Sequence, residues 1–399
     1  MLLSASGAEA RDRRRLLLGL SLSETISWGV LYYAFSVFVR PMEAELGFGR
    51  AATSAAFSIG LLVSAIAAPL AGRMVDAGRA RLLMTGGSCL GASMLLAWSR
   101  VTTLGGLYLV FVGMGLAMAA TLYEPAFAVL AKRFGHERPR ALVTLTLVAG
   151  LASTVFLPAA GYLEVRYGWR ATLLILAAVV AGVAAPIHAF VLGPQEGGDR
   201  HTGARKPPAW RASAEFWRLA AALALGGLAG GALGAHLVPY LIERGEAAPA
   251  AATLAGAVGA MQLPGRLAFA RLASLAPARL ILAGTFLLQA LGLGVLLWAP
   301  GRAGAAAFVV CFGIGTGVMT LSRATVVADA FGTAAYGRIA GTLAGFTIAA
   351  RALGAFGAGW AHDASGRYEP LLTALAAGLA LAALAAAGAA SSKTHPPKT

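Results

Sequence analysis

Residues 169–191 read WRATLLILAAVVAGVAAPIHAFV, about twenty residues in which Arg170 carries the only full charge. A helix of that length crosses the hydrocarbon of a bilayer. The run does not alternate polar with apolar positions, which a membrane-spanning barrel strand requires. Runs of the same kind recur along the chain: 58% of its residues are hydrophobic and 12% charged, and its mean hydropathy is +0.73. A water-soluble surface needs about 25% charged residues. Backbone polar groups in lipid must be satisfied inside the segment, so the chain reads as an all-α membrane protein.

Twelve transmembrane helices are predicted, at 16–39, 51–71, 82–99, 103–130, 141–163, 169–191, 216–241, 249–270, 279–299, 303–328, 338–361 and 369–390. The basic start Arg11, Arg13, Arg14, Arg15 followed by an apolar run is like a signal peptide. The run continues to Val39, too long for a cleaved signal, and is read as a retained first helix. The longest hydrophilic stretch, 193–215, contains Arg205-Lys206-Pro207-Pro208 and separates the spans six and six. The expected organisation is therefore an N-terminal six-helix bundle (1–192), a cytoplasmic linker (193–215) and a C-terminal six-helix bundle (216–399).

The net charge of +15 sits in short loops rather than on one face, which argues against nucleic acid as a partner. With the N-terminus placed in the cytoplasm, cytoplasmic segments hold 21 of the 32 Lys and Arg and outer loops hold 8. The contrast is sharpest at Lys132, Arg133, Arg138 and Arg140. The positive-inside rule then puts both termini in the cytoplasm, and the expected location is the cell inner (cytoplasmic) membrane. Cys89 and Cys311 both fall inside spans, so no disulfide framework is expected.

The two halves repeat at an offset of about 198 residues. Gly72-Arg-Met-Val-Asp76 falls on Ala270-Arg-Leu-Ala-Ser274, and Arg81 falls on Arg279. Gly161 and Gly168 fall on Gly359 and Gly366, each pair closing a helix and its outer loop. Parallel six-helix repeats mark carriers built of two pseudo-symmetric bundles.

The segment Gly72-Arg-Met-Val-Asp76-Ala-Gly78-Arg79-Ala-Arg81 resembles the signature loop between helices 2 and 3 of the major facilitator superfamily, with its second glycine one residue early. In physical terms, Gly72 is expected to allow close helix contact and Gly78 a tight turn. Asp76 suits the positive N-terminus of another helix; the resemblance implies that this is the eleventh helix and that Asp76 and Arg79 belong to a gate. Gly168-Trp169-Arg170 is similar to a sequence frequent at the start of helix 6 in the superfamily. Within it, Tyr32-Tyr33-Ala-Phe-Ser-Val-Phe followed by Pro41 and Glu45-Leu-Gly47 resembles the opening of the monocarboxylate transporter and oxalate:formate antiporter group. Gly265-Arg266 is similar to the place of that group's substrate-binding arginine on helix 8. Arg351, within Ala349-Ala350-Arg351-Ala352-Leu353-Gly354, resembles the site of a second cationic residue. The group's acidic partner on helix 8 is missing; Met261 and Gln262 stand in that neighbourhood. Pro158 with Gly161 partly resembles an antiporter motif, but Leu157 and Tyr162 replace two of its glycines.

Five ionisable residues lie well inside spans: Glu24, Glu124, Arg266, Arg323 and Arg351. An unpaired charge at the bilayer centre costs about 2.5–3.5 kcal/mol even on lenient scales. These groups should therefore face a polar cavity or one another. Arg351 and Arg266 offer forked donors suited to a carboxylate, or they tie helices together through backbone carbonyls. The resemblance implies that helices 1, 4, 7 and 10 line the path, so Glu124 and Arg323 are expected to form a gate or coupling pair, or a permanent ion pair. Glu24 is a second proton-site candidate, unless Ser21, Ser23, Thr25 or a neighbouring helix binds it. Tyr123, Tyr32 and Tyr33 are substrate-contact candidates that alternatively anchor helices. His236 reads as a structural hydrogen-bonder. Gly226, Gly230 and Gly234, and Gly313, Gly315 and Gly317, are placed to let helices approach closely.

The leading expectation is a secondary active transporter that moves a small organic anion, a mono- or dicarboxylate, by alternating access. The alternative is a proton-coupled drug or metabolite exporter using a buried glutamate. A membrane sensor or enzyme finds no support, since no phosphate-binding loop, metal-ligand cluster or nucleophile–base arrangement is present, and no cofactor is expected. The expected partners are an anionic small molecule, the lipid bilayer and protons, and a monomer suffices for this fold.

Overall fold

The computed structural model describes residues 7–134, 137–193, 213–299, 301–331 and 336–388, so most of the expected linker lies outside the described residues. Among these residues all regular structure is helical. Ten stretches are long and apolar enough to cross a membrane: α1 (Ala10–Leu46), α2 (Arg50–Asp76), α3 (Ala80–Trp98), α4 (Leu104–Phe134), Arg140–Val191, α7 (Ala214–Glu243), α9 (Ala278–Trp298), α10 (Gly301–Phe331), α11 (Ile339–Ser365) and α12 (Glu369–Ala387). Arg140–Val191 is two helices, because Gly168 breaks it at φ 79° and ψ 161°; these are α5 (140–167) and α6 (169–191). The twelfth is α8 (Ala248–Leu275), rich in alanine and glycine and carrying Gln262, Pro264 and Arg266, which lower its apolarity. The twelve-helix fold is thus present.

The repeat is visible in the backbone. Gly168 (φ 79°) and Gly366 (φ 70°), equivalent across the halves, both take a left-handed conformation that any side chain would strain. The equivalent Gly161 and Gly359 are both contact points: a Cβ on Gly161 would meet Ala252 Cβ of α8 at 2.7 Å, and one on Gly359 would meet the Arg50 carbonyl of α2 at 2.7 Å. Gly78 (φ 76°) makes the tight turn expected of it. Gly72 does not make the close contact expected, since nothing lies within 4 Å of where its Cβ would stand.

Contacts divide the chain into two units. The first gathers α1–α6 with Ala232–Ala260 and Ala355–Gly366. Near the Asp76 end of α2, its core packs Leu20, Val75, Met84, Val129, Leu130 and Leu145. Towards the other end, Phe35 stacks on Phe57 at 4.6 Å and Trp98 meets Phe111 edge-on at 4.9 Å. Such ring pairs add about 0.5–1.5 kcal/mol each beyond burial. The second unit holds the rest of α7, α8 and α11 with α9, α10 and α12, and α9 packs on both α10 and α12. Glycines set its interior. Gly265 of α8 abuts the Ile314 backbone of α10, and Gly317 of α10 abuts the Gln262 backbone of α8. Gly231 of α7 and the Arg351 backbone of α11 touch in the same way, as do Gly354 of α11 and Leu228 of α7. In lipid, apolar burial does not drive helices together, so close backbone approach supplies the packing.

Candidate functional site

The second unit carries Arg266, Arg323 and Arg351. Arg266 follows Gly265, so the close α8–α10 contact fixes its position on the helix. Its Nη2 donates to Gln262 Oε1 at 2.9 Å, one turn earlier. Gln262, a neutral acceptor, thus helps to orient the guanidinium. Arg351 is half-buried, and its backbone carbonyl fills the notch left by Gly231. Its Nη2 lies 3.9 Å from where a Gly230 Cβ would stand. Both arginines are therefore anchored at backbone level by glycine contacts, and both side chains are only partly exposed. Arg323 on α10 is exposed.

In the first unit, α1 widens into a π-helical turn at Trp28–Tyr33. Such turns often mark functional positions because they re-aim side chains. Trp28 is the hub of an aromatic group, with ring centroids 5.2 Å from Tyr32, 6.2 Å from Tyr33 and 4.9 Å from Tyr123. Tyr32 is buried, and its hydroxyl lies 3.2 Å from where a Gly234 Cβ would stand. Tyr33 and Tyr123 are half-buried. The sequence reading singled out the three tyrosines and missed Trp28, which within an apolar run looks like ordinary core.

Glu24, one turn before Trp28, is fully buried, and neither carboxylate oxygen has a hydrogen-bond partner among the described residues. The local partners considered for it are committed elsewhere: Ser23 Oγ donates to the Leu20 carbonyl at 3.1 Å and Thr25 Oγ1 to the Ser21 carbonyl at 2.8 Å. Ser21 Oγ is buried without a partner among the described residues. Glu124 is exposed on α4 and near enough to act on Glu24 electrostatically.

The Asp76 loop is held by α4. Lys132 Nζ lies 3.2 Å from Asp76 Oδ1 and donates to the Val75 carbonyl at 2.8 Å, while Arg79 is exposed at the entrance to α3. The opposite end of α2 holds a network the sequence did not disclose. Arg50, only 7% exposed, donates from Nε and Nη2 to both oxygens of Glu43 at 2.8 and 2.6 Å. Its Nη1 bonds Glu243 of α7 and lies 3.1 Å from His362 Nε2 of α11. Asp363 accepts from the Arg50 and Ala51 backbone N–H groups at 3.2 and 2.8 Å, capping the positive end of α2 with a carboxylate. His236 Nε2 lies 3.0 Å from both Ser54 Oγ and the Ala355 carbonyl; a carbonyl only accepts, so Nε2 carries the hydrogen. The structural reading of His236 holds. Nearby, Trp169 Nε1 and Arg170 Nε donate to Glu45 at 2.6 and 2.7 Å, and Arg170 also donates to the Ser99 and Val101 carbonyls. The motif at the start of α6 thus clamps the ends of α1 and α3.

Twelve helices in two repeat-related halves, with half-buried arginines on α8 and α11, have the architecture of a membrane carrier. The family follows: a model of the Major Facilitator Superfamily matches residues 17–357, and the chain belongs to that superfamily. It is 28% identical over 330 residues to "Monocarboxylate transporter 13" of Bos taurus, covering 80% of this chain and 75% of that protein. It is 29% identical over 204 residues to "Monocarboxylate transporter 4" of Mus musculus, covering 45% of this chain and 42% of that one. In fold it is similar to a crystal structure of the nucleoside transporter NupG, with a TM-score of 0.79 and 14% identity over 95% of this chain and 99% of that one. A bacterial homolog of the human lysosomal transporter Spinster, inward-facing and occupied, gives a TM-score of 0.70 and 15% identity over 94% and 95%. The protein is a multi-pass membrane transporter close to the monocarboxylate transporter group.

Proposed function

We propose that this protein is a secondary active transporter that moves a small organic anion, a mono- or dicarboxylate, by alternating access. The observation that carries the reading is Arg266, a half-buried guanidinium on α8 whose Nη2 bonds Gln262. Its forked donors match the two oxygens of a carboxylate. The names of the relatives, monocarboxylate transporters, support the same substrate class. Arg351 is the second anion-binding residue, and Tyr32, Tyr33 and Tyr123 contact the substrate from α1 and α4. Glu124 and Arg323 act as a coupling pair, and Asp76 and Arg79 belong to a gate. The protein works as a monomer in the inner membrane with both termini in the cytoplasm.

A specific observation supports protons as the coupling ion. Glu24 is fully buried with two unbonded oxygens. A carboxylate anion in that setting bears the full cost of its lost hydration, whereas the protonated acid bears little of it. The exporter alternative uses the same glutamate with a cationic or neutral cargo. A thermal-shift screen of purified protein against carboxylates and lipophilic cations, repeated on Arg351→Gln, separates these readings. Stabilisation by carboxylates that Arg351→Gln abolishes is the expected result. Stabilisation by lipophilic cations alone overturns the anion reading. For the coupling pair, the test is whether the double swap Glu124→Arg with Arg323→Glu restores transport lost in each single change.

A further inference from the structure

At the start of α1, a groove of about 490 Å³ runs between α1 and α6. Its upper rim is Arg11, Arg14 and Arg15, all exposed. Below them the same helix face continues as Leu18 and Leu22, one turn apart and themselves 53% and 48% exposed. The facing wall is Ile187 and Val191 of α6. The floor is Gly19, where a Cβ would come within 3.0 Å of Val191 and 3.3 Å of Ile187, so the two helices close the groove from behind.

The charge in this segment is not consumed internally. Arg13 reaches Glu137 at 3.7 Å, but among the described residues no ion pair engages Arg11, Arg14 or Arg15, and the neighbouring Asp12 is exposed. Three guanidinium groups at the polar edge of a span, above about 10 Å of apolar helix wall, match one class of ligand in both its parts. A phosphate bonds well to forked arginine donors, and a fatty chain covers the two exposed leucines. A soluble phosphate compound uses only the rim and leaves the apolar wall bare.

We propose that this groove is a binding site for an anionic phospholipid, its headgroup phosphate on Arg11, Arg14 and Arg15 and one acyl chain along Leu18, Leu22 and Val191. The site belongs to the first unit alone and is independent of which substrate the carrier moves.

The test uses the full chain purified in neutral detergent and followed by thermal shift, with phosphatidylglycerol, phosphatidylcholine and glycerol 3-phosphate as separate probes. Phosphatidylglycerol raises the melting temperature in a saturable way, while the other two at equal concentration do not. In the triple variant Arg11→Gln, Arg14→Gln, Arg15→Gln the apparent affinity for phosphatidylglycerol falls by roughly tenfold or more, with the melting temperature in phosphatidylcholine unchanged. Leu18→Trp keeps every charge and fills the groove, and it weakens phosphatidylglycerol binding as well. The proposal is overturned if phosphatidylcholine or glycerol 3-phosphate stabilises equally, or if either variant, folded as judged by its melting temperature, binds phosphatidylglycerol like the parent.

Discussion

Arg266 and Gln262 pose the substrate question at the level of one hydrogen bond. The 2.9 Å contact with Gln262 helps to fix where the guanidinium points. Gln262→Glu changes nearly nothing in size but supplies a resident carboxylate in the substrate's place. We expect this variant to fold normally and to bind carboxylates about tenfold more weakly, roughly 1.4 kcal/mol, in a direct binding titration. Equal affinity would mean that Arg266 does not touch the anion. Glu24 asks the complementary question. Among the described residues its carboxylate has no hydrogen-bond partner, so Glu24→Gln should leave the melting temperature within a few degrees. The variant should nevertheless lose accumulation driven by a pH gradient in proteoliposomes while still exchanging substrate across the membrane. Gradient-driven accumulation at the parent's level would remove Glu24 from the coupling step.

The elements owe their placement to positions where a side chain is absent. Gly231 is filled by the Arg351 carbonyl, so Gly231→Ala pushes α7 off the α11 backbone. Backbone cannot swing aside as a side-chain tip does, and the cost should reach about 1–3 kcal/mol, with Arg351 displaced as a consequence. Gly72→Ala is the contrasting case: open space surrounds that position, and alanine favours helix over glycine by about 1 kcal/mol. Thermal unfolding should rank Gly72→Ala at or above the parent and Gly231→Ala clearly below it; the reverse order would contradict the glycine-interlock account. These cases also mark how far the sequence could be read. Hydropathy located the helices, because a run such as 169–191 has one environment open to it. The repeat located the turns, since Gly168 and Gly366 share a backbone conformation that few other residues take. Glycine counting, however, named Gly226, Gly230 and Gly234 on α7, whereas Gly227 and Gly231 make the closer backbone contacts with α11. Which glycine faces which helix depends on rotation about the axis, and an apolar helix carries no amphipathic stripe to set it.

For the molecule as a carrier, the network around Arg50 is the feature the sequence concealed most completely. Its members are 7, 193 and 312 residues away from Arg50 in the chain, and each, taken alone, reads as a solvated loop charge. Brought together, Glu43, Glu243 and His362 surround one buried guanidinium, while Asp363 caps the same helix end, and they join α1, α2, α7 and α11 at the end opposite the Asp76 loop. Under the alternating access proposed above, such a tie is released during each cycle and remade afterwards. Removing the cation alone leaves the Glu43 and Glu243 carboxylates together without it, and breaking a buried pair in this way typically costs about 3–5 kcal/mol. Arg50→Gln should therefore lower the melting temperature and slow transport. It should also expose what the latch covers. Ser54, one turn into α2, is fully buried against His236, so a cysteine there is shielded while the latch is closed. In Ser54→Cys on a background with Cys89 and Cys311 replaced, a membrane-impermeant maleimide should react slowly, and adding Arg50→Gln should raise that rate several-fold. If the rate stays the same while the melting temperature falls, Arg50 only braces the helix ends and the gate lies elsewhere.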